Sequence, residues 1–154
     1  MLGTLSKKQC ERVLLAGLIG RVGCHAGGKV YIVPLTYVFD GGMIYAHSKE
    51  GLKVTMMRKN PNVCFQVDQV DNMTNWRSVV LWGTFEEVKT PAAQDKVLKL
   101  LVDRFEAFHT SESVKPVFHT AEHQPLKEKK PVIFRIVVDE MTGRFEKNTS
   151  ENII

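Results

Sequence analysis

The chain has 154 residues, of which 44% are hydrophobic and 25% are charged, and 21 basic against 17 acidic residues give a net charge of +4. These values are typical of an ordinary globular domain and exclude a disordered, collagen-like or disulfide-framework protein. The length predicts a single domain over residues 1–154. The positive charge is scattered along the chain, which is not typical of a nucleic-acid-binding surface.

The cysteines and the longest apolar run indicate the cellular location of the protein. Cys10, Cys24 and Cys64 are odd in number and have no Cys-x-x-Cys spacing, which is typical of reduced thiols in the cytoplasm. The apolar run from Val13 to Gly20 is too short to span a bilayer, because a spanning helix needs about 20 residues. We therefore predict a cytoplasmic protein that does not associate with membranes.

The first third of the chain predicts a helix followed by a β-hairpin. Ser6 can cap a helix that runs to about Ala16. A strand over Leu18–Cys24 and a long strand over Lys29–Phe39 follow, joined by glycines that allow the positive φ angles of a tight turn. Pro34 interrupts the long strand and cannot donate a backbone hydrogen bond. We therefore expect it at a sheet edge, at a bulge or opposite a ligand.

The remaining elements complete an antiparallel fold. A second hairpin leads to a strand over Met43–Ala46, and the helix after it ends at Asn60, because Pro61 disfavours helical geometry in the residue before it. Three more strands are predicted over Val63–Val70, Ser78–Val88 and Pro131–Val138, with a helix from Thr90 and an irregular polar segment over 109–130 between the last two. Six strands in sequential hairpins predict a mainly β protein, a small antiparallel barrel flanked by helices.

The strongest candidate site lies where the strand that ends at His47 meets the following helix. Ser48 can cap this helix, and Lys53 lies in its first turns. A helix N-terminus offers unpaired N–H groups and a partial positive charge, so phosphate binds there readily, and Lys53 would add a full charge. The same pattern also fits an ordinary helix cap followed by a solvated lysine.

A second candidate site lies at the start of the strand over Ser78–Val88. Arg77 has a rigid guanidinium that can bind phosphate or a ring oxygen, and Trp76 can stack on a planar ligand. The alternative is that Trp76 and Trp82 are core or interface residues and that Arg77 is a surface charge.

Four stretches, in this order along the chain, resemble one protein family. They are Val33–Phe39, Ala46–Lys53, Asn60–Phe65 and Trp76–Gly83. Together they resemble the FMN-binding split barrels related to pyridoxamine 5′-phosphate oxidase, and most of all the flavoproteins of the nitroimidazole-resistance type. The resemblance covers residues 5–107 and the last strand, after which Asp139–Gly143 is similar to the ending of that branch.

This resemblance implies a six-stranded split β-barrel that forms a homodimer and binds FMN in clefts at the dimer interface. Part of the long strand would line the isoalloxazine ring, partly through backbone groups, and the strand end and helix start would hold the ribityl chain and the phosphate. A polar pair at the start of a later strand would lie against the flavin. The FMN contacts implied in this way are Val33, Pro34, Leu35, Thr36, His47, Ser48, Lys53, Arg77 and Ser78.

Two differences from the oxidase limit the range of reactions that the resemblance implies. The oxidase has an Arg-Lys pair for the phosphate, whereas this chain has Leu52-Lys53, and the chain has no match to the C-terminal arginine motif that holds the vitamin substrate. The resemblance therefore implies flavin-dependent reduction of small molecules, nitro compounds among them, rather than pyridoxamine phosphate oxidation. His47 would donate a proton or hold the substrate, and a structural hydrogen-bonding role is its alternative.

Two other functions stay open on sequence grounds. His109, His119 and His123 lie in the polar segment, and the last two would share one face of a helix, as haem or metal ligands can. Some members of the same barrel superfamily bind and degrade haem, so a haem barrel is one alternative. No cysteine or carboxylate cluster accompanies these histidines, and we predict no metal site. A flavin carrier or sensor without turnover is the other alternative.

Overall fold

The computed structural model describes residues 1–106 and 130–149, and this part of the chain forms eight β-strands and three α-helices. The strands are β1 (Leu2–Thr4), β2 (Ile19–Ala26), β3 (Lys29–Thr36), β4 (Val38–Asp40), β5 (Met43–Ser48), β6 (Asn62–Asn72), β7 (Asn75–Glu87) and β8 (Val132–Glu146). The helices are α1 (Lys7–Ala16), α2 (Leu52–Lys59) and α3 (Pro91–Glu106).

All of these strands belong to one antiparallel sheet. Its order is β3-β2-β6-β7-β8-β5-β4, and β1 is added along β8. Tyr37 alone separates β3, at one end of this order, from β4 at the other. The chain therefore brings the two ends of the sheet together, but within the described residues no ladder joins β3 to β4 or β5. The mainly β, antiparallel, split-barrel prediction is confirmed.

The strand count is eight rather than the predicted six, for two reasons. The predicted long strand over Lys29–Phe39 breaks at Tyr37, whose backbone N–H donates to the Leu18 carbonyl at 3.1 Å. β1 is the other additional strand, and it is held by pairing with the far end of β8. The predicted last strand, Pro131–Val138, also runs on to Glu146, because it resumes pairing with β7 after a register shift.

Two apolar clusters hold these elements together. The main core fills the sheet interior and takes in buried residues of α1 and α2, with Phe65, Phe134 and Ile44 fully buried. Each such side chain contributes about 1.5–3 kcal/mol by leaving water. A second cluster joins α3 to the outside of the sheet through Val97, Leu101 and Ile133, among others. The first core therefore shapes the split, and the second places α3 behind β4, β5 and β8.

Candidate functional site

The gap between β3 and the end of β5, called the split below, is bordered by free strand edges. β3 pairs with β2 on one side only. β5 pairs with β8 along its whole length, but with β4 only through Met43–Tyr45. Backbone groups of Ala46–Ser48 and of β3 therefore face each other without a ladder in the described part of the chain. Continuing the β4–β5 register past Tyr37 would place His47 opposite Thr36.

Side chains alternate between the two faces of β3, and this alternation decides which groups of its four predicted flavin contacts can reach the split. Leu35 is buried in the main core and Val33 packs against that core, whereas Pro34 and Thr36 are exposed on the other face. Val33 and Leu35 therefore offer backbone groups rather than side chains. Pro34 lies on an end strand of the sheet, as predicted for a residue that cannot donate to a ladder.

Ser48 ends β5 but does not cap the next helix, so that prediction is wrong. α2 begins at Leu52 after Gly51, which caps it without a side-chain hydrogen bond. The Ser48 hydroxyl instead donates to the Lys49 carbonyl at 2.9 Å. Ser48 is only 8% exposed, and this bond satisfies its hydroxyl as it leaves water. The strand end is thereby held in shape beside the split.

Lys53 supplies a half-buried positive charge at the α2 end of the split. Burial lowers the pKa of Lys53, and the nearby Cys24 thiol on β2 opposes this shift. Lys53 forms no salt bridge with another residue of the described ranges. Because burying an uncompensated ammonium is unfavourable, an anionic group bound beside Lys53 would be stabilising.

His47 completes this end of the split. Burial lowers the pKa of His47, and the positive charge of Lys53 lowers it further. The imidazole is therefore neutral at pH 7, with one ring nitrogen as donor and the other as acceptor. Lys53 thus acts electrostatically on both His47 of β5 and Cys24 of β2. The structure places Lys53 within electrostatic reach of His47, whereas Ser48, the next residue of β5, faces the opposite side of that strand.

Arg77 and Ser78 do not form a pair, because adjacent strand residues face opposite sides of the sheet. Ser78 accepts a hydrogen bond from Gln66 Nε2 at 3.0 Å and shares its face with Pro34. Three strand spacings, about 14 Å, separate Ser78 from β3 within one protomer. Arg77 lines a separate cleft at the start of β7. Its contact with a flavin stays a prediction.

The face of the sheet that carries Pro34 and Ser78 has exposed apolar side chains beside the exposed Arg21–Asp68 salt bridge, and we call it the open sheet face. Its exposed apolar side chains, with the exposed fraction of each, are Ile19 (58%), Val30 (70%), Ile32 (65%) and Trp82 (44%). Most of them lie on β2 and β3. Sequence reasoning missed Val30 and Ile32, although apolar residues on both faces of β3 indicate a strand that is covered on both sides.

Neither a metal cluster nor a membrane-spanning helix is found in the described ranges. No group of three or more His, Cys, Asp or Glu residues within 1–106 and 130–149 could hold a metal ion. No helix in these ranges is long and apolar enough to cross a membrane. The three histidines of the haem alternative, His109, His119 and His123, lie outside the described residues.

Comparison with known proteins places this geometry in a family. The chain is 30% identical over 145 residues to an uncharacterised protein of Rhizobium meliloti, covering 91% of this chain and 92% of that protein. It resembles the crystal structure of an FAD-binding protein from Mesorhizobium loti, with 30% identity, a TM-score of 0.74, and coverage of 96% and 98% of the two chains.

Two more distant structures show the same fold. One is an FAD-binding protein from Mycobacterium smegmatis, with 21% identity, a TM-score of 0.69, and coverage of 95% of this chain and 100% of that chain. The other is a candidate 5-nitroimidazole antibiotic resistance protein from Bacteroides thetaiotaomicron, with 20% identity, a TM-score of 0.68, and coverage of 94% of this chain and 89% of that chain. The sequence model of the pyridoxamine 5′-phosphate oxidase family matches residues 6–145. With nearly the whole chain matched, the protein belongs to the pyridoxamine 5′-phosphate oxidase family.

Proposed function

We propose that the protein binds a flavin, FMN in particular, in the split and uses it to reduce small molecules. The observation that carries this proposal is the half-buried Lys53 ammonium, which lies beside a neutral His47 and forms no salt bridge in the described ranges. A terminal phosphate would compensate this charge. The FAD-binding proteins of Mesorhizobium loti and Mycobacterium smegmatis, which share the fold, support a flavin as the ligand.

The residues around the split fit such a cofactor. The edge of β3 offers backbone groups to the polar rim of a ring system, and Pro34 and Thr36 offer a surface on one side of that edge. His47 can hydrogen-bond an oxygen of the cofactor or of a substrate, and a phosphate bound nearby would favour the protonated imidazole that a proton donor requires. A bound flavin supplies the electron or hydride transfer, and the protein positions it and limits the access of water.

We also propose a homodimer formed through the open sheet face. A group of exposed apolar side chains on one sheet face is typical of an interaction surface. Residues on this face that are distant within one protomer, such as Pro34 and Ser78, would approach a single flavin if one of them came from the partner subunit. We further propose a cytoplasmic location, since all three cysteines are free thiols.

Colour and cofactor release test this proposal. Purified protein should show a flavin absorption band, and chromatography of the material released on denaturation should identify FMN rather than FAD. Turnover is measured with reduced nicotinamide nucleotides and a panel of nitroaromatic and quinone acceptors. Colourless protein that takes up neither FMN nor FAD would contradict flavin binding. Bound flavin without turnover of any acceptor would instead favour a carrier or sensor.

A further inference from the structure

A cleft lies at the opposite end of the sheet from Lys53, and of the residues that line it only Arg77 is among the flavin contacts that the family resemblance implies. It has a volume of about 550 Å³ and lies between β1, the tip of the β6–β7 hairpin and the end of β8. A volume of this size is within the range that holds small organic ligands. The side chains that matter below are Leu5, Asp71, Trp76, Arg77, Phe145 and Lys147.

The apolar part of the cleft is held in place by close backbone contacts. Phe145 lies directly against Gly3 of β1, where an added Cβ would come within 2.6 Å of the ring. Leu5 is joined to β8 by its backbone N–H, which donates to the Gly143 carbonyl at 2.9 Å. These two side chains therefore offer a fixed apolar surface on which a flat ring can pack.

The rim of the cleft carries charges of both signs. Arg77, Lys147 and Asp71 all line it, and none of them forms a salt bridge within the described ranges. Glu146, the other acidic residue of the rim, accepts a hydrogen bond from Trp76 Nε1 at 3.0 Å. Arg77 can bind a carboxylate through two parallel hydrogen bonds, and Asp71 can accept bonds from an ammonium group.

We propose that this cleft binds a small aromatic zwitterion of the amino-acid type. The ligand's carboxylate would pair with Arg77 and Lys147, its ammonium group with Asp71, and its ring would pack on Leu5 and Phe145. The site is separate from the split, because Ala46–Ser48 pair with the start of β8 at Val132–Phe134, whereas the cleft lies at the other end of β8, around Phe145. This proposal does not depend on the bound flavin.

Three matched ligands and two variants test the proposal. The indole N–H resonance of Trp76 is followed by NMR during titration of the purified protein with phenylalanine, phenylpropionate, which lacks the amino group, and phenethylamine, which lacks the carboxylate. Trp82, on the open sheet face, is the internal control, and a Trp82→Phe variant assigns the two resonances. Phenylalanine should shift the Trp76 resonance at concentrations below about 10 mM and leave Trp82 unmoved.

The variants separate the two charged contacts. Arg77→Gln should lower the affinity for phenylalanine and phenylpropionate by about tenfold or more and leave the affinity for phenethylamine unchanged. Asp71→Asn should lower the affinity for phenylalanine and phenethylamine only. Arg144→Gln is the control, because Arg144 is exposed on β8 outside the cleft. An unmoved Trp76 resonance, or equal binding of all three ligands, would overturn the proposal. So would loss of flavin from Arg77→Gln, because the cleft would then belong to the flavin site.

Discussion

The hydroxyl of Tyr37 donates a hydrogen bond to the Leu14 carbonyl at 2.6 Å and joins the corner between β3 and β4 to the last turn of α1. Burial raises the pKa of Tyr37 far above its usual value, so the hydroxyl remains a donor. Arg104 of α3 donates to the next two carbonyls, those of Leu15 and Ala16, at 3.0 and 3.1 Å. The carbonyls at a helix end need such partners. The residue at which the split begins is therefore fixed by its contact with α1.

Replacing Tyr37 by Phe should lower the free energy of unfolding by about 1–2 kcal/mol, because the Leu14 carbonyl would lose its partner in the interior. Urea denaturation measures this change. Tyr31→Phe is the matched control, since Tyr31 is a half-buried β3 residue whose hydroxyl bonds to no other described residue. We expect the control to stay within about 0.5 kcal/mol of the wild type. A Tyr37→Phe protein as stable as the wild type would show that this bond does not fix the corner.

The sequence predicts those features of the fold that depend on residues close together in the chain. The Ser6 cap of α1 and the end of α2 before Pro61 depend on neighbouring residues, and both are found where expected. β1 and the break at Tyr37 depend on residues far away in the chain. β1 has only three residues and exists because it pairs with Arg144–Glu146. Tertiary contacts of this kind leave no periodic signal in the sequence.

The candidate site was predictable to the extent that adjacent residues share one strand end or helix turn. His47 and Lys53 meet because β5 leads directly into α2, so the sequence order already brings them together. Arg77 and Ser78 are adjacent at the start of one strand, but the alternation of a strand places their side chains on opposite faces. The cleft around Arg77 was not predictable, because β1, β6, β7 and β8 contribute to it from distant parts of the chain.

Replacing Lys53 by Met keeps most of the apolar stem and removes the charge. FMN binding should weaken by about 1–3 kcal/mol, since a charge-assisted hydrogen bond to the phosphate is lost. Fluorescence titration of the flavin-free protein measures the affinity. Riboflavin, which has no phosphate, should bind the variant and the wild type equally well. Lys59→Met, an exposed change in the same helix, is the control and should leave both affinities unchanged.

Two results would show that Lys53 does not bind the phosphate. One is an unchanged FMN affinity of Lys53→Met. The other is an equal loss of FMN and riboflavin affinity, because that would indicate a general disturbance of the split rather than a lost contact with phosphate. Lys59→Met measures the effect of net charge alone on the two affinities, since both variants remove one positive charge.

The lowered pKa of His47 predicts how stability depends on pH. The folded protein binds a proton at His47 less readily than the unfolded chain, whose histidine titrates near 6.5. As the pH falls through 6.5 toward the lower pKa of the folded state, the wild type should therefore lose stability relative to His47→Gln. Denaturation at several pH values between about 5 and 8 measures the difference. His25→Gln, at an exposed position of β2, is the matched control.

Bound FMN should reduce this loss. A phosphate beside Lys53 and His47 would favour the protonated imidazole and so oppose the downward shift of the pKa. The experiment is the same pH series with saturating FMN. If wild type and His47→Gln keep a constant difference in stability across the series without FMN, His47 is not held neutral by its surroundings. If FMN leaves the pH dependence unaltered, the phosphate does not lie near His47.

A charge on the open sheet face should separate the proposed dimer. Ile32 is 65% exposed and lies opposite Gly23 on this face, where a glutamate would be buried without a partner after association. We expect Ile32→Glu to raise the dimer dissociation constant about 100-fold or more, as a penalty of roughly 3 kcal/mol implies. Light scattering coupled to size-exclusion chromatography measures the molar mass. Leu15→Glu, at a similarly exposed apolar position on α1, is the control and should remain dimeric.

The flavin content of the same fractions tests whether the split needs the second protomer. If contacts from both protomers hold one flavin, monomeric Ile32→Glu should lose the cofactor, even though Lys53 and His47 are unchanged in it. Monomers that retain flavin at wild-type affinity would show that one chain forms the complete site. A wild type that is itself monomeric at micromolar concentration would contradict the dimer. The open sheet face would then need another explanation for its exposed apolar side chains.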